Sequence, residues 1–276
     1  MASYRQRNDR SGGRPGAPRA WSPSPAARAG PRPRRRAVEG QAEWLWGWHA
    51  VVAALDNPAR PTPKRVLASA DRARALAERF GDDLALEVVE SAAIAQALPA
   101  GAVHQGVALR TPPLEPVALS ELGTPARGLL LMLDQVTDPQ NVGAIFRSAA
   151  AFGARGVIVQ DRHAPLLTGA LAKAAAGAVD KIPHARETNL SRALERLEAL
   201  GWRSVGLDGG APGDLAEVLD GSPTVLVMGS EGEGLRRLVR EHCEVLARIP
   251  MPGGFESLNV AAAAAVALYE AGGRRR

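Results

Sequence analysis

Three short segments carry side chains suited to chemistry. The first is Leu133-Asp134-Gln135-Val136-Thr137-Asp138-Pro139-Gln140-Asn141-Val142-Gly143-Ala144-Ile145-Phe146-Arg147-Ser148, a polar loop running into a helix that Asn141 opens. Val142, Ile145, Phe146 and Ala149 recur at helical spacing and make an apolar face, with Arg147 off it. Arg147 lies six residues beyond Asn141, about 9 Å of helix rise. Helical side chains lean toward the N-terminus, so the guanidinium reaches back toward the loop. A cation there can hold a phosphate or a reacting oxygen; on spacing alone, a surface arginine paired with a nearby acid is the favoured reading.

The second segment, Val225-Leu226-Val227-Met228-Gly229-Ser230-Glu231-Gly232-Glu233-Gly234-Leu235, is an apolar strand entering a glycine-rich turn. Such turns let a ligand approach backbone amides, at the place where open α/β sheets bind ligands. The spacing is neither G-x-G-x-x-G nor a P-loop. Glu231 and Glu233 would repel a diphosphate and suit a ligand bearing positive charge or hydroxyls. In the third segment, Ile249-Pro250-Met251-Pro252-Gly253-Gly254-Phe255-Glu256-Ser257-Leu258-Asn259-Val260, a strand breaks into a loop and Ser257 reads as the N-cap of an alanine-rich helix. Asn259 then falls in the first turn, where free backbone donors and the Ser and Asn side chains can grip a small polar ligand.

The elements that must position these residues alternate along the chain. Strands are predicted at Arg65 to Ser69, Leu84 to Val89 and Gly106 to Arg110, with helices at Ala50 to Leu55, Asp71 to Phe80 and Ser91 to Leu98. After a proline-rich stretch read as an extended connection, apolar strands follow at Leu129 to Leu133, Gly156 to Gln160, Ser204 to Leu207, Thr224 to Met228 and Val245 to Pro250. Strands so continuously apolar are covered on both faces, as in a parallel sheet. Helices are expected at Asn141 to Phe152, Thr168 to Ala176, Leu190 to Leu200 and Ser257 to Ala271; Gly153 and Gly201 close the first and third at the left-handed position. The fold class is α/β, divided into a tail over 1–42, a small domain over 43–112, a linker over 113–127 and a larger domain over 128–276.

Charge is unevenly spread. Residues 1 to 36 hold ten Arg and one acid, Asp9, a local +9 that leaves −4 for the rest of a chain whose net charge is +5. Mixed Pro, Gly, Ser and Arg without periodicity predict a disordered, uncleaved basic arm, suited to a polyanion held partly by counterion release or simply to solubility. A single cysteine, Cys243, excludes an intramolecular disulfide. No Cys/His cluster has metal-site spacing, so no metal is expected. The longest apolar run, Val260 to Tyr269, is far short of the roughly 20 residues that a bilayer requires. A cytoplasmic protein is the expectation.

Taken together, Thr137-Asp138-Pro139-Gln140-Asn141-Val142-Gly143 with Arg147-Ser148, Met228-Gly229-Ser230-Glu231-Gly232-Glu233-Gly234, and Ile249-Pro250-Met251 with Ser257-Leu258-Asn259-Val260 resemble, in order and spacing, the three motifs of the SpoU/TrmH methyltransferases. The resemblance covers residues 44 to 270. Gly47-Trp48-His49-Ala50-Val51 and Gly101-Ala102-Val103-His104-Gln105-Gly106 are similar to the L30e-like RNA-binding domain of the family's ribosomal-RNA branch, and within that branch the chain resembles a bacterial enzyme that methylates a guanosine of the large-subunit RNA. The stretch Pro252-Gly253-Gly254-Phe255-Glu256 departs from the pattern in the third motif's variable loop.

The resemblance implies a SPOUT sheet threaded into a deep trefoil knot by the second and third motifs, a homodimer packed across it, and S-adenosylmethionine held by Gly229, Ile249 and Leu258 through backbone atoms. It implies transfer of a methyl group to a ribose 2′-hydroxyl of ribosomal RNA. Arg147 would contact the ribose or its phosphate. A guanidinium holds its proton too firmly to serve readily as general base, which favours an electrostatic role. Asn141, Glu231, Ser257 and Asn259 would position the nucleophile and shape the pocket, with proton acceptance by Glu231 left open. A transfer-RNA substrate, or a non-catalytic RNA-binding protein on the same scaffold, are the other readings; the coexistence of Asn141, Arg147, Glu231 and Asn259 argues against the second.

Overall fold

The computed structural model describes residues 43–63, 65–81, 84, 86–255 and 257–273. The expected basic arm lies outside the described residues, as does Glu256 of the variable loop.

The first elements are β1 (Glu43–Trp46), α1 (Trp48–Asp56), β2 (Arg65–Ala68), α2 (Ala70–Phe80), β3 (Leu86–Val88), α3 (Ser91–Ala97) and β4 (Val107–Thr111). They build a four-stranded sheet in the order β1-β4-β2-β3, antiparallel except for the β2–β3 pair. Trp44-Leu45-Trp46 is its edge strand, with Leu45 fully buried beside Val51, Leu76 and Leu109.

The connection that composition marks as extended contains a packed helix instead, α4 (Leu119–Gly123). Leu119 and Leu122 stand one helical turn apart and bury themselves under the larger sheet, and the Val117 N–H donates to the His184 carbonyl at 2.9 Å. Three apolar residues in reach of a sheet outweigh the extended preference of the flanking prolines.

Beyond it come β5 (Leu129–Leu133), α5 (Pro139–Ala151), β6 (Gly156–Gln160), α6 (Gly169–Ala174), β7 (His184–Glu187), α7 (Leu190–Glu198), β8 (Arg203–Leu207), β9 (Gly213–Asp214), α8 (Leu215–Val218), β10 (Thr224–Met228), α9 (Arg237–Glu241), β11 (Val245–Arg248) and α10 (Val260–Gly273). The strands form one seven-stranded sheet, β7-β6-β5-β10-β8-β11-β9, in which every pairing is parallel. Side chains alternate across it. Leu129, Leu131 and Leu133 face α5, α6 and α10, while Leu130 and Met132 face α4, α7 and α9. Gly153 and Gly201 take φ of 71° and 92°, the left-handed ends expected of α5 and α7.

Strand β7 escaped the sequence reading because His184-Ala185-Arg186-Glu187 is polar, and it lies at the sheet edge, where charge is tolerated. The two sheets are joined through α1 and the turn after α6. There Arg60 and Asp180, each side chain 2% exposed, pair at 2.6 Å; Asn57 also donates to Asp180, and Arg60 to the Pro112 carbonyl. No helix among the described residues is long and apolar enough to cross a membrane.

Candidate active site

The strand order reverses beside β5 and β10, and the carboxyl ends of those strands feed the first two motifs. Asp134, directly after β5, is fully buried. Its N–H donates to the Met228 carbonyl at 2.8 Å, and its carboxylate accepts from the Arg236 backbone (2.9 Å) and Nε (2.7 Å). The first loop and the end of the second are thereby locked together.

Helix α5 starts earlier than expected. Asp138 is its N-cap, accepting the Gln140 N–H at 3.1 Å, and Pro139 fills the first helical position, where a missing N–H costs nothing. Asn141 therefore sits within the first turn, and its amide Nδ2 donates 3.0 Å to Glu231 Oε1. The Asp-Pro pair was the overlooked signal.

The third motif also corrects an expectation. Helix α10 begins at Val260, and its cap is Asn259 rather than Ser257: Asn259 Oδ1 accepts the Ala261 and Ala262 N–H groups at 3.0 and 3.3 Å. The Val260 N–H goes to Glu231 Oε1 at 3.2 Å. The first-turn donors predicted to grip a ligand are thus satisfied by the protein itself. Asn259 Nδ2 in turn donates to Glu231 Oε1 (2.6 Å) and Asn141 Oδ1 (2.9 Å). Three donors converge on one oxygen of Glu231; among the described residues Oε2 accepts none, although the residue is exposed.

A cavity of about 780 Å³ opens beside this cluster. Gly229, Ile249, Leu258, Glu231, Ser257 and Asn259 all line it. Of the residues singled out from sequence, Asn141 touches the lining through Glu231 and Asn259, whereas Arg147 is neither on the lining nor bonded to the cluster. Arg147 is exposed on α5 and forms no hydrogen bond or ion pair with a described residue.

Gly229 has a different reason than ligand approach. A Cβ there would come within 2.2 Å of the Gly234 carbonyl carbon and 2.4 Å of the Leu235 nitrogen, because the loop folds back over it through reciprocal Ser230–Gly234 hydrogen bonds of 3.1 Å. Gly143 likewise admits α6, its notional Cβ lying 2.5 Å from the Leu171 carbonyl oxygen.

The cavity has a further wall that sequence reading missed, Leu207 at the end of β8 with Asp208 and Gly209 after it, and Arg240 pairs Asp208 at 2.8 Å. An apolar strand ending in Asp-Gly-Gly at the carboxyl edge of a parallel sheet was the available signal. Glu231, Glu233 and Asp208 against Arg240 leave the lining acidic. Cys243 is no nucleophile: burial, with the nearby Asp134 charge, pushes its thiol up to about 12. Among the described residues, no cluster of three or more His, Cys, Asp or Glu is placed to hold a metal ion.

Residues 128–269 match the model of the SpoU rRNA Methylase family. A tRNA/rRNA methyltransferase of Mycolicibacterium smegmatis, itself described as uncharacterized, is 44% identical over 179 residues, 63% of this chain and 57% of that protein; the chain thus spans less than two thirds of the length of the curated relatives it matches. The fold is similar to the SpoU methyltransferase AviRb from Streptomyces viridochromogenes in complex with the cofactor AdoMet (TM-score 0.71, 26% identity, 85% of this chain and 91% of that one). It is also similar to the AdoMet-bound rRNA methyltransferase from Sinorhizobium meliloti (TM-score 0.69, 29% identity, 83% and 86%). With the family model covering half of its length and all three motifs, the chain belongs to the SpoU rRNA methylase family.

Proposed function

We propose that this protein transfers a methyl group from S-adenosylmethionine to the ribose 2′-hydroxyl of a guanosine in large-subunit (23S) ribosomal RNA, as RlmB does, working in the cytoplasm as a homodimer. The observation that carries the reading is the meeting of all three motifs on Glu231 Oε1 at the rim of one cavity.

The residues present fit the cofactor. A volume of about 780 Å³ lies within the usual range for nucleoside-sized ligands, about 300–1,000 Å³. The acidic lining suits a ligand with cationic sulfur, an ammonium group and ribose hydroxyls. Gly229, Ile249 and Leu258 would hold it, largely through backbone atoms. When bound, S-adenosylmethionine supplies a methyl group on a sulfonium leaving group that needs no protein acid.

The remaining task falls to the chain's own residues. Asn141 and Asn259 fix the Glu231 carboxylate, whose free Oε2 can accept from the ribose hydroxyl and orient it. Ser257 shapes the same wall. Arg147 would stabilise the developing oxyanion or the adjoining phosphate, a role suited to an exposed guanidinium that no described residue engages.

A trefoil knot formed by the second and third motifs is supported by strand order: β10 lies between β5 and β8, and β11 between β8 and β9, so later strands enter between earlier ones. The dimer is supported by exposed Ala262, Val266 and Tyr269 along one stripe of α10, with Tyr269 edge-on to Phe152 at 6.0 Å between ring centroids. We assign residues 43–112 as an L30e-like RNA-binding domain, 113–127 as its connection, 128–276 as the methyltransferase domain, and 1–42 as a basic arm that adds to RNA affinity.

The test is incubation of full-length protein with labelled S-adenosylmethionine and undermodified ribosomal or transfer RNA. Label appearing as 2′-O-methylguanosine in large-subunit RNA is expected; label confined to transfer RNA would move the substrate, and absence of label from both would overturn the reading.

A further inference from the structure

A second recess, of about 410 Å³, opens beyond the carboxyl end of β7 and is lined by Thr188, Asn189, Ser191, Arg236 and Arg237, among others. It lies along the sheet edge that carries the methyl-transfer cavity, and one stretch of chain walls both: Gly229 to Leu235 face the cavity, Arg236 and Arg237 the recess. Among the described residues, no acidic one lines it.

Its donors are held ready and only partly used. Arg236 is anchored through its backbone and Nε to buried Asp134, which leaves its terminal nitrogens without a partner among the described residues. Arg237 commits only Nη1, to Glu241 at 2.8 Å. Asn189 caps α7 through the Arg192 N–H, and the first-turn amides of that helix have no helical carbonyl to reach. Most telling is Ser191. It is 8% exposed, it lines the recess, and its hydroxyl makes no hydrogen bond with any described residue. The residue is packed in place while its hydroxyl stays open to the recess, where it can donate to a ligand. Two guanidinium groups, a helix N-terminus and an unpaired hydroxyl around an acid-free hollow are the recognition set for a tetrahedral oxyanion.

We propose that this recess binds an internucleotide phosphate of the RNA strand next to the methylated nucleotide, which fixes the strand's register over the cavity; this rests on the RNA-methyltransferase reading above. Because Asp134 ties Arg236 to the first loop, a phosphate seated here is mechanically linked to the residues that orient the ribose.

The test uses the full chain. Wild type is first shown to bind and methylate RNA; if it does neither, it is the functional reading that falls. Arg237→Gln is then expected to weaken RNA affinity about five- to tenfold at low salt and to lower the salt slope by about 0.7 to 0.9, one phosphate contact. S-adenosylmethionine affinity and kcat at saturating RNA should not move. Arg237→Lys should recover most of the loss, and Ser191→Ala should weaken binding without changing thermal stability. Glu241→Gln, which removes only the intrahelical pair, should leave RNA affinity intact. In RNA carrying single neutral methylphosphonate linkages, one position within a few nucleotides of the target should weaken wild type and not Arg237→Gln. Unchanged affinity and salt slope in Arg237→Gln, an equal loss in Glu241→Gln, or the absence of any such linkage would overturn the proposal. So would inorganic phosphate binding that depends on Arg237 while RNA binding does not.

Discussion

Asn259 holds Glu231 and helix α10 at once: its amide nitrogen donates to Glu231 Oε1 at 2.6 Å while its amide oxygen takes the Ala261 and Ala262 N–H groups. An asparagine is needed for this, since it alone offers donor and acceptor from one planar group of that length. Asn259→Asp should keep the helix cap yet set a second carboxylate against Glu231. We expect little loss of helical signal, but a fall in cofactor affinity of at least about tenfold, as suits a lost charge-assisted bond. Asn259→Ala should additionally cost about 1 kcal/mol of stability through the missing cap. Calorimetry with S-adenosylmethionine and urea unfolding separate the two effects; equal cofactor affinity in Asn259→Asp and wild type would contradict the clamp.

Arg147 is exposed and bonded to no described residue, so its removal should not touch the fold. Arg147→Ala is expected to stay within about 0.5 kcal/mol of wild type in urea unfolding. Turnover should fall about 10²–10³-fold if the guanidinium stabilises an oxyanion, with cofactor affinity nearly unchanged. Normal turnover would remove Arg147 from the site.

Gly229 is packed under its own loop, with no room for a methyl group. Gly229→Ala should push the 229–235 turn outward, costing about 1–3 kcal/mol in stability and abolishing measurable cofactor binding. Retained binding would mean that the turn yields without reshaping the cavity.

His184 is buried on β7, and desolvation, aided by Arg186 and Arg60, lowers its pKa to about 3. In the unfolded chain the value is near 6.5, so below that pH the unfolded state takes up a proton that the native state refuses. Stability present above pH 6.5 is therefore lost progressively as pH falls toward 3, with a slope of up to about 1.4 kcal/mol per pH unit. Urea titrations between pH 5 and 7.5, above the ordinary carboxylate range, follow the slope. His184→Gln should flatten the slope; an unaltered slope would place its origin elsewhere.

Arg60 and Asp180 form a buried ion pair between the two sheets. Asp180→Ala should destabilise by about 3–5 kcal/mol because an unpaired guanidinium stays buried, and replacing both residues with apolar ones should recover most of that. Additive losses in the double variant would argue against direct coupling.

Much of this was legible in the chain itself. Continuous apolar strands at Leu129–Leu133, Gly156–Gln160 and Thr224–Met228 dictate a sheet covered on both faces, because no other arrangement buries side chains pointing both ways. The spacing of Val142, Ile145, Phe146 and Ala149 fixed the buried face of α5, and Gly153 and Gly201 fixed where two helices stop. Three motifs of the right residue types, far apart in sequence, also pointed to the residues that line the cavity. Local periodicity and backbone constraint are properties of neighbouring residues, so a sequence states them directly.

Tertiary structure alone decided which donors were already spent. Ser257 and Asn259 are both sound caps by composition; only the arrival of Glu231, 28 residues earlier in the chain, selects Asn259 and consumes the first-turn amides. Polar β7 becomes a strand because β6 offers it an edge, and proline-flanked α4 forms because the sheet face above it needs covering. Hydrogen-bond satisfaction and burial are relations between distant segments, and residue order does not contain them until the chain has closed on itself.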